Sequence, residues 1–274
     1  MTPLPGWCVS TENAAWLAAS ASKPARPGLW RCIFSYQPRT YRHWVRSADL
    51  VTYEVVVRET DLYISTATDL SALAHELVQK YRAQLEGYIQ RHPSFLHSFE
   101  PLEVASDAPP IVKEMAQAAK MARVGPMAAV AGAVAEFVGR GLEAFSPEVI
   151  IENGGDIYLK SLRKRVVGVY AGKSPLSGKL GLEIPAEDTP LGICTSSGTV
   201  SHSFSYGKAD AVTVLALSAS LADAAATAVG NAVVTAEDIP RGIKLARSIK
   251  GLSGVVIIKD ERVGFWGRVN ICPL

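Results

Sequence analysis

Cysteine is scarce in this chain of 274 residues: Cys8, Cys32, Cys194 and Cys272 stand far apart, with no Cys-x-x-Cys pair and no histidine at ligand spacing. That scatter argues against a zinc centre and against a disulfide framework, so a reducing compartment is the expectation. Long apolar runs are missing too. The longest charge-free one, Ala211–Ala222, is far short of the ~20 residues a membrane-spanning helix needs. Met1–Ser22 has no basic segment leading into a long apolar core, so neither a secretory leader nor a lipid anchor is expected. No Gly-x-Gly-x-x-Gly joins a strand to a helix and no P-loop lysine motif occurs, which disfavours a conventional dinucleotide-binding domain. A formal charge of +2 gives no case for nucleic acid. These absences leave a cytoplasmic protein with neither membrane nor nucleic-acid partners as the expectation.

What is present reads as an ordered globular chain, with 48% hydrophobic and 20% charged residues. Its length can bury a substantial core. The basic excess is local: Lys23, Arg26, Arg31, Arg39, Arg42 and Arg46 face Glu12 alone across residues 1–48. A phosphate-facing patch and a solvated edge both account for it, the edge being the commoner case. Four prolines (Pro3, Pro5, Pro24, Pro27) suggest that residues 1–28 form an arm, leaving 29–274 as one domain. Strands are expected at 29–35 and 39–46, then a hairpin of 52–58 and 61–66 turning at Glu59-Thr60. From Asp69 the period changes. Leu70, Leu73, Ala74, Leu77, Tyr81, Leu85, Tyr88 and Ile89 share one helical face until His92-Pro93 ends the run. Pro109-Pro110 opens a second helix, and Gly125-Pro126 separates it from a third, Ala/Gly-rich helix over 127–139. Strands follow at 148–152, 156–160, 165–170, 179–184, 190–194 and 210–217. Helices at 221–231 and 238–249 precede a last hairpin, 255–259 with 262–266, turning at Asp260-Glu261. Hairpins dominate and helices come in pairs. The fold class expected is α+β: two layers, with a mainly antiparallel sheet and helices packed on one face.

Three segments could carry chemistry. In Leu221–Asn231, Asp223 and Thr227 sit one helical turn apart amid alanines. A carboxylate and a hydroxyl are hard oxygen donors, half of a Mg²⁺ site open to phosphate. The alternative is a buried helix in which Thr227 bonds back to the Asp223 carbonyl and Asp223 caps the amino terminus. Asn153-Gly154-Gly155-Asp156 is a hairpin-turn signal. Its glycines would also let backbone pack against a flat ligand that Asp156 hydrogen-bonds. Cys194–Ser203 packs six hydroxyls, a glycine and His202 into ten residues, which suits phosphate or ribose recognition, or else a polar edge. Gly-x-Ser-x-Gly is absent, which disfavours a serine hydrolase. Cys194 follows an apolar run and is expected to be buried and inert.

The order Val124-Gly125-Pro126-Met127-Ala128, Asn153-Gly154-Gly155-Asp156, Thr195-Ser196-Ser197-Gly198 through His202, and Ala222-Asp223-Ala224-Ala225-Ala226-Thr227 resembles the ApbE family. That family comprises FAD-dependent, Mg²⁺-dependent FMN transferases, and the likeness is strongest to its branch without a lipoprotein anchor. The resemblance covers roughly residues 50–267. It implies a T-fold architecture, with Asp223, Thr227 and a carbonyl near Ala128 as metal ligands. Asn153, Gly154, Gly155 and Asp156 would line a flavin-nucleotide pocket, with Thr195, Ser196 and Gly198 against its sugar or phosphates. His202 and Asp156 are the candidates for proton transfer. His202 precedes Ser203-Phe204-Ser205-Tyr206, with no acid where the family usually has one, so the metal half carries over better than the flavin-recognition half.

Two chemistries fit this set. Attack on FAD by a protein hydroxyl transfers FMN to an acceptor protein; attack by water gives FMN and AMP. Two other classes compete with them: a flavin- or nucleotide-binding protein without turnover, and an oligomeric protein whose motifs are architectural. The small-sided helices would suit a homodimer interface.

Overall fold

The computed structural model describes Arg42, residues 47–199 and residues 207–274. The expected arm over 1–28, the strand at 29–35, most of that at 39–46, and His202 lie outside these residues.

Eight strands form one sheet: β1 (Val51–Val57), β2 (Thr60–Thr66), β3 (Val149–Asn153), β4 (Asp156–Lys160), β7 (Leu191–Ser196), β8 (Ala211–Ala216), β9 (Leu252–Lys259) and β10 (Arg262–Gly267). They lie in the order β1-β2-β3-β4-β7-β8-β9-β10. Every neighbouring pair is antiparallel. The strands β5 (Arg165–Gly168), β6 (Leu180–Ile184) and β11 (Ile271–Pro273) form a second, three-stranded sheet in the order β11-β6-β5.

Period-2 alternation gives the large sheet two apolar faces. Ile151, Tyr158, Cys194, Val214, Val255 and Ile257 pack with the helices. Their neighbours Ile150, Ile157, Ile193, Leu215, Val256 and Ile258 pack instead with Val167, Leu182 and Ile184 of the small sheet. The α+β class with helices on one face is therefore found. The small sheet is a further layer on the opposite face: β5 and β6 are expected as strands from the sequence, whereas β11 and the pairing of all three are not.

Helix α1 (Ser71–Arg91) buries Ala74, Val78, Leu85, Tyr88 and Ile89 and stops before Pro93, as the periodicity requires. A short helix α2 (Ser94–His97) follows, then α3 (Pro110–Ala122). The expected helix over 127–139 is divided. Pro126–Ala129 form a 3-10 turn, Ala129 leaves helical geometry at φ −114° and ψ 4°, and α4 runs from Val130 to Leu142. Helix α5 (Ala219–Asn231) starts two residues earlier than expected because Ser218 caps it, its Oγ accepting from Leu221 N at 3.2 Å. The last helix, α6, covers Ile239–Ser248. No single described helix is long and apolar enough to cross a membrane.

The first hairpin turns one residue earlier than expected, since Val57 pairs with Thr60 and Arg58 takes φ 54°. Arg42 does not sit on a solvated edge. It is buried, its guanidinium meeting Glu54, Asp61 and Glu152.

Candidate functional site

The site grows from close approach of small residues. A Cβ on Gly192 of β7 would lie 2.3 Å from Ala219 Cα, and one on Gly132 of α4 would lie 2.3 Å from the Ala219 carbonyl oxygen. Glycine at both places lets β7 and α4 close on the start of α5. Asp223, in the second turn of α5, then reaches the amino terminus of α4, where its Oδ2 accepts from Gly132 N at 2.9 Å. Ala131 N–H points at the same carboxylate. These amides belong to the first turn of α4, whose N–H groups have no partner within the helix and carry the positive end of its dipole. Asp223 thus caps a neighbouring helix, not its own.

The arrangement is reciprocal. Glu136 of α4 is fully buried, and its Oε2 accepts from Ser220 N at 3.1 Å, in the first turn of α5. The same oxygen accepts from Ser218 Oγ at 3.0 Å and Ser220 Oγ at 3.2 Å. Arg140 covers the other oxygen.

The turn between β3 and β4 is a two-residue loop of Gly154 and Gly155, with φ of +66° and +103°. Both central positions need the left-handed region that glycine tolerates. Asn153 and Asp156 flank this loop as a strand pair, and each reaches the helix face. Asn153 Nδ2 donates to Ala131 O at 3.0 Å, and Asp156 Oδ1 accepts from Thr195 N at 3.2 Å. Asn153, Asp156 and Asp223 therefore gather around the first turn of α4. Among the described residues no Lys or Arg forms an ion pair with Asp156 or Asp223.

Burial pushes the Asp223 carboxyl up to about 7, against the pull of the Gly132 and Ala131 amides. Burial, then the negative charge of Asp223, raises Asp156 well above the ordinary carboxylate range; Cys194 and Thr195 N–H oppose the shift. Burial also raises the Cys194 thiol, whose Sγ lies 3.3 Å from Ala219 O, so it is held as thiol and is a poor nucleophile.

The other sequence candidates divide. Thr227 lies half-buried one turn beyond Asp223 on α5. No hydrogen bond from Thr227 to the Asp223 carbonyl occurs among the described residues. Ala128 sits in the 3-10 turn that packs against α5. Gly132 N–H, which a continuous helix would give to the Ala128 carbonyl, goes to Asp223 instead. Ser196 faces α5, near Gly230. Thr195 points its hydroxyl to the other face of the sheet, toward Thr213 Oγ1 at 2.9 Å, and reaches the site only through its backbone N–H. At Gly198 a Cβ would lie 2.2 Å from Gly207 O, so this glycine answers to its own returning chain. Sequence reasoning missed Gly132, Glu136 and Glu152. Only the small-residue run around Gly132 carries any mark of its place.

A family model described as AbpE bacteria matches residues 42–253. A UPF0280 protein of Methanococcus aeolicus is 42% identical over 226 residues, spanning 80% of this chain and 91% of its own. One from Methanocaldococcus jannaschii is 41% identical over 221 residues, spanning 78% and 90%. Among solved structures, the flavinyl transferase ApbE of Pseudomonas stutzeri superposes with a TM-score of 0.55 at 13% identity, covering 79% of this chain and 93% of its own. The flavin transferase ApbE of Vibrio cholerae gives 0.54 at 15% identity, covering 79% and 96%. The last two likenesses establish a shared fold; the first three establish kinship, and the chain belongs to the AbpE bacterial family together with the UPF0280 proteins.

Proposed function

We propose that the protein is a Mg²⁺-dependent, FAD-utilising enzyme of ApbE type, transferring FMN to a hydroxyl of an acceptor protein or cleaving FAD to FMN and AMP. The observation that carries this reading is the pair of buried Asp156 and half-buried Asp223, two carboxylates beside the first turn of α4 with no ion pair to a cationic side chain among the described residues. Such a pair calls for a cation or a proton. The donor set fits a hard cation: the Asp223 carboxylate, the Thr227 hydroxyl, and the Ala128 carbonyl relieved of its helical partner. When bound, Mg²⁺ would supply charge neutralisation and polarisation to a pyrophosphate. The Gly154-Gly155 backbone, Asn153, Ser196 and Gly198 would position the nucleotide, with Thr195 N–H holding Asp156 in place. Asp156 and His202 are the residues assigned to proton transfer. A single domain over 29–274, a homodimer and a cytoplasmic setting belong to the same reading.

The test is incubation with FAD and Mg²⁺ and chromatography for AMP, with a hydroxyl-bearing acceptor added in a second arm. Wild type should release AMP only with the metal, and Asp223→Asn should release at least tenfold less. Bound FAD without AMP from the wild type in either arm would overturn turnover and leave a binding protein.

A second reading also rests on an observation. Asp223 already serves the fold by capping α4, so the motif could be architectural. That reading requires Asp223→Ala to leave FAD and metal binding intact.

A further inference from the structure

Glycine is the most mobile backbone unit, and a Gly-Gly turn used to grip a ligand carries an ordering cost unless it is already held. The Gly154-Gly155 turn is held from below the sheet. Glu152 alternates with Asn153, so its side chain leaves the face opposite the site, and its Oε1 returns to accept from Gly155 N at 2.7 Å. Its Oε2 accepts from Arg42 Nε at 2.9 Å. Arg42 is itself fixed: Nη2 lies 2.9 Å from Asp61 O and 2.8 Å from Asp61 Oδ1, and Nη1 lies 3.0 Å from Glu54. The guanidinium also lies over the Tyr63 ring, 5.7 Å from its centroid. Arg42 is 7% exposed and Glu152 3%. Neither touches Asp156 or Asp223 by any hydrogen bond among the described residues.

We infer that Arg42 and Glu152 form a positioning relay that pre-orders the Gly154-Gly155 turn and thereby sets the affinity for the dinucleotide. The inference rests on the FAD-utilising reading above. The guanidinium locks the carboxylate, the carboxylate locks the Gly155 amide, and the turn meets its ligand already shaped. Arginine suits this place because its planar fork holds oxygens of three residues at once, which an ammonium does less well.

The experiment uses the full chain without bound ligand. Amide exchange at Gly155 is followed by NMR and FAD affinity by fluorescence titration, for Glu152→Gln, Arg42→Lys and Arg165→Gln. Glu152→Gln keeps an acceptor for Gly155 but loses the ion pair. It should exchange Gly155 at least tenfold faster and bind FAD about tenfold more weakly, and Arg42→Lys, which keeps the charge but not the fork, should show both changes to a smaller extent. Arg165→Gln breaks a different buried cluster, with Asp49 and Glu148. It should lower thermal stability yet leave Gly155 exchange and FAD affinity as in wild type. Unchanged Gly155 exchange or unchanged FAD affinity in Glu152→Gln overturns the relay, as does an equal affinity loss in Arg165→Gln. A wild type that binds no FAD overturns the functional reading, and with it the assignment of nucleotide positioning.

Discussion

Gly132→Ala tests the packing argument most directly. The added Cβ would lie 2.3 Å from Ala219 O, 2.8 Å from Ala219 C and 2.8 Å from Asp223 Cβ. Two of these atoms are backbone and cannot swing aside, so α4 and α5 must part. Overpacking of this kind costs about 1–3 kcal/mol. Parting the helices also weakens the bond from Gly132 N to Asp223, and a hydrogen bond to a charged group contributes about 1.5–3 kcal/mol. Alanine returns at most about 1 kcal/mol of helix preference. The net loss expected is about 2–4 kcal/mol, or a Tm lower by about 4–8 °C at this chain length. Gly87→Ala is the control. It is the same exchange inside α1, where an added Cβ meets nothing within 4 Å, and it should stabilise by about 0.5–1 kcal/mol. Urea unfolding of both variants, with m values compared, measures the difference. A loss under about 1 kcal/mol for Gly132→Ala, or the same sign for both, would refute the claim that this glycine is required by helix approach.

Acid should act through two groups of opposite sign. The hydrogen bond from Arg165 holds Asp49 at about 2, below its ordinary 3.8. Its contribution is complete above about pH 4 and is lost as pH falls toward 2; with a third of the side chain exposed, screening limits it to about 1 kcal/mol. Asp223, raised to about 7, works the other way: the metal-free protein loses stability from this group as pH rises from about 4 to 7. Urea midpoints across pH should lose the lower slope in Asp49→Asn and the upper one in Asp223→Asn. Glu136→Ala leaves the Ser220 amide and hydroxyl, in the first turn of α5, without their acceptor, while Ser218 keeps its cap on Leu221 N and its bond to Glu114. A loss of about 2–3 kcal/mol is expected in urea unfolding, with Glu136→Gln losing less.

How much of this was legible depends on where each cause sits in the chain. Helix α1 was legible because its signal is local: an apolar stripe closed by His92-Pro93. So were the turns at Gly154-Gly155 and Asp260-Glu261. The first hairpin turn was misplaced because Arg58 takes positive φ, which its residue type does not advertise. The break before α4 was illegible because the carboxylate that caps it, Asp223, lies 91 residues away. Alternation marked β5 and β6 as strands but could not tell that they pair with each other and leave the main sheet. At the site, residue types pointed to Asn153, Asp156 and Asp223, yet their meeting point follows from packing. Thr195 shows the limit: its hydroxyl suggested a ligand contact, and the parity of β7 turns that hydroxyl to the other face.

The two duties assigned to Asp223 draw on different properties of one side chain. Capping α4 needs an acceptor oxygen, whereas holding a cation beside Asp156 needs negative charge. Asparagine keeps the acceptor and removes the charge; alanine removes both. If the fold alone explains this aspartate, Asp223→Asn should match wild type in stability, FAD binding and metal response, and Asp223→Ala should fall in stability alone. If charge is its purpose, Asp223→Asn should fold at least as well as wild type at pH 7, because a costly buried charge is gone, and should lose the metal response. A variant more stable and less responsive than the wild type would show that the carboxylate is kept there at the expense of stability, as expected of a functional group.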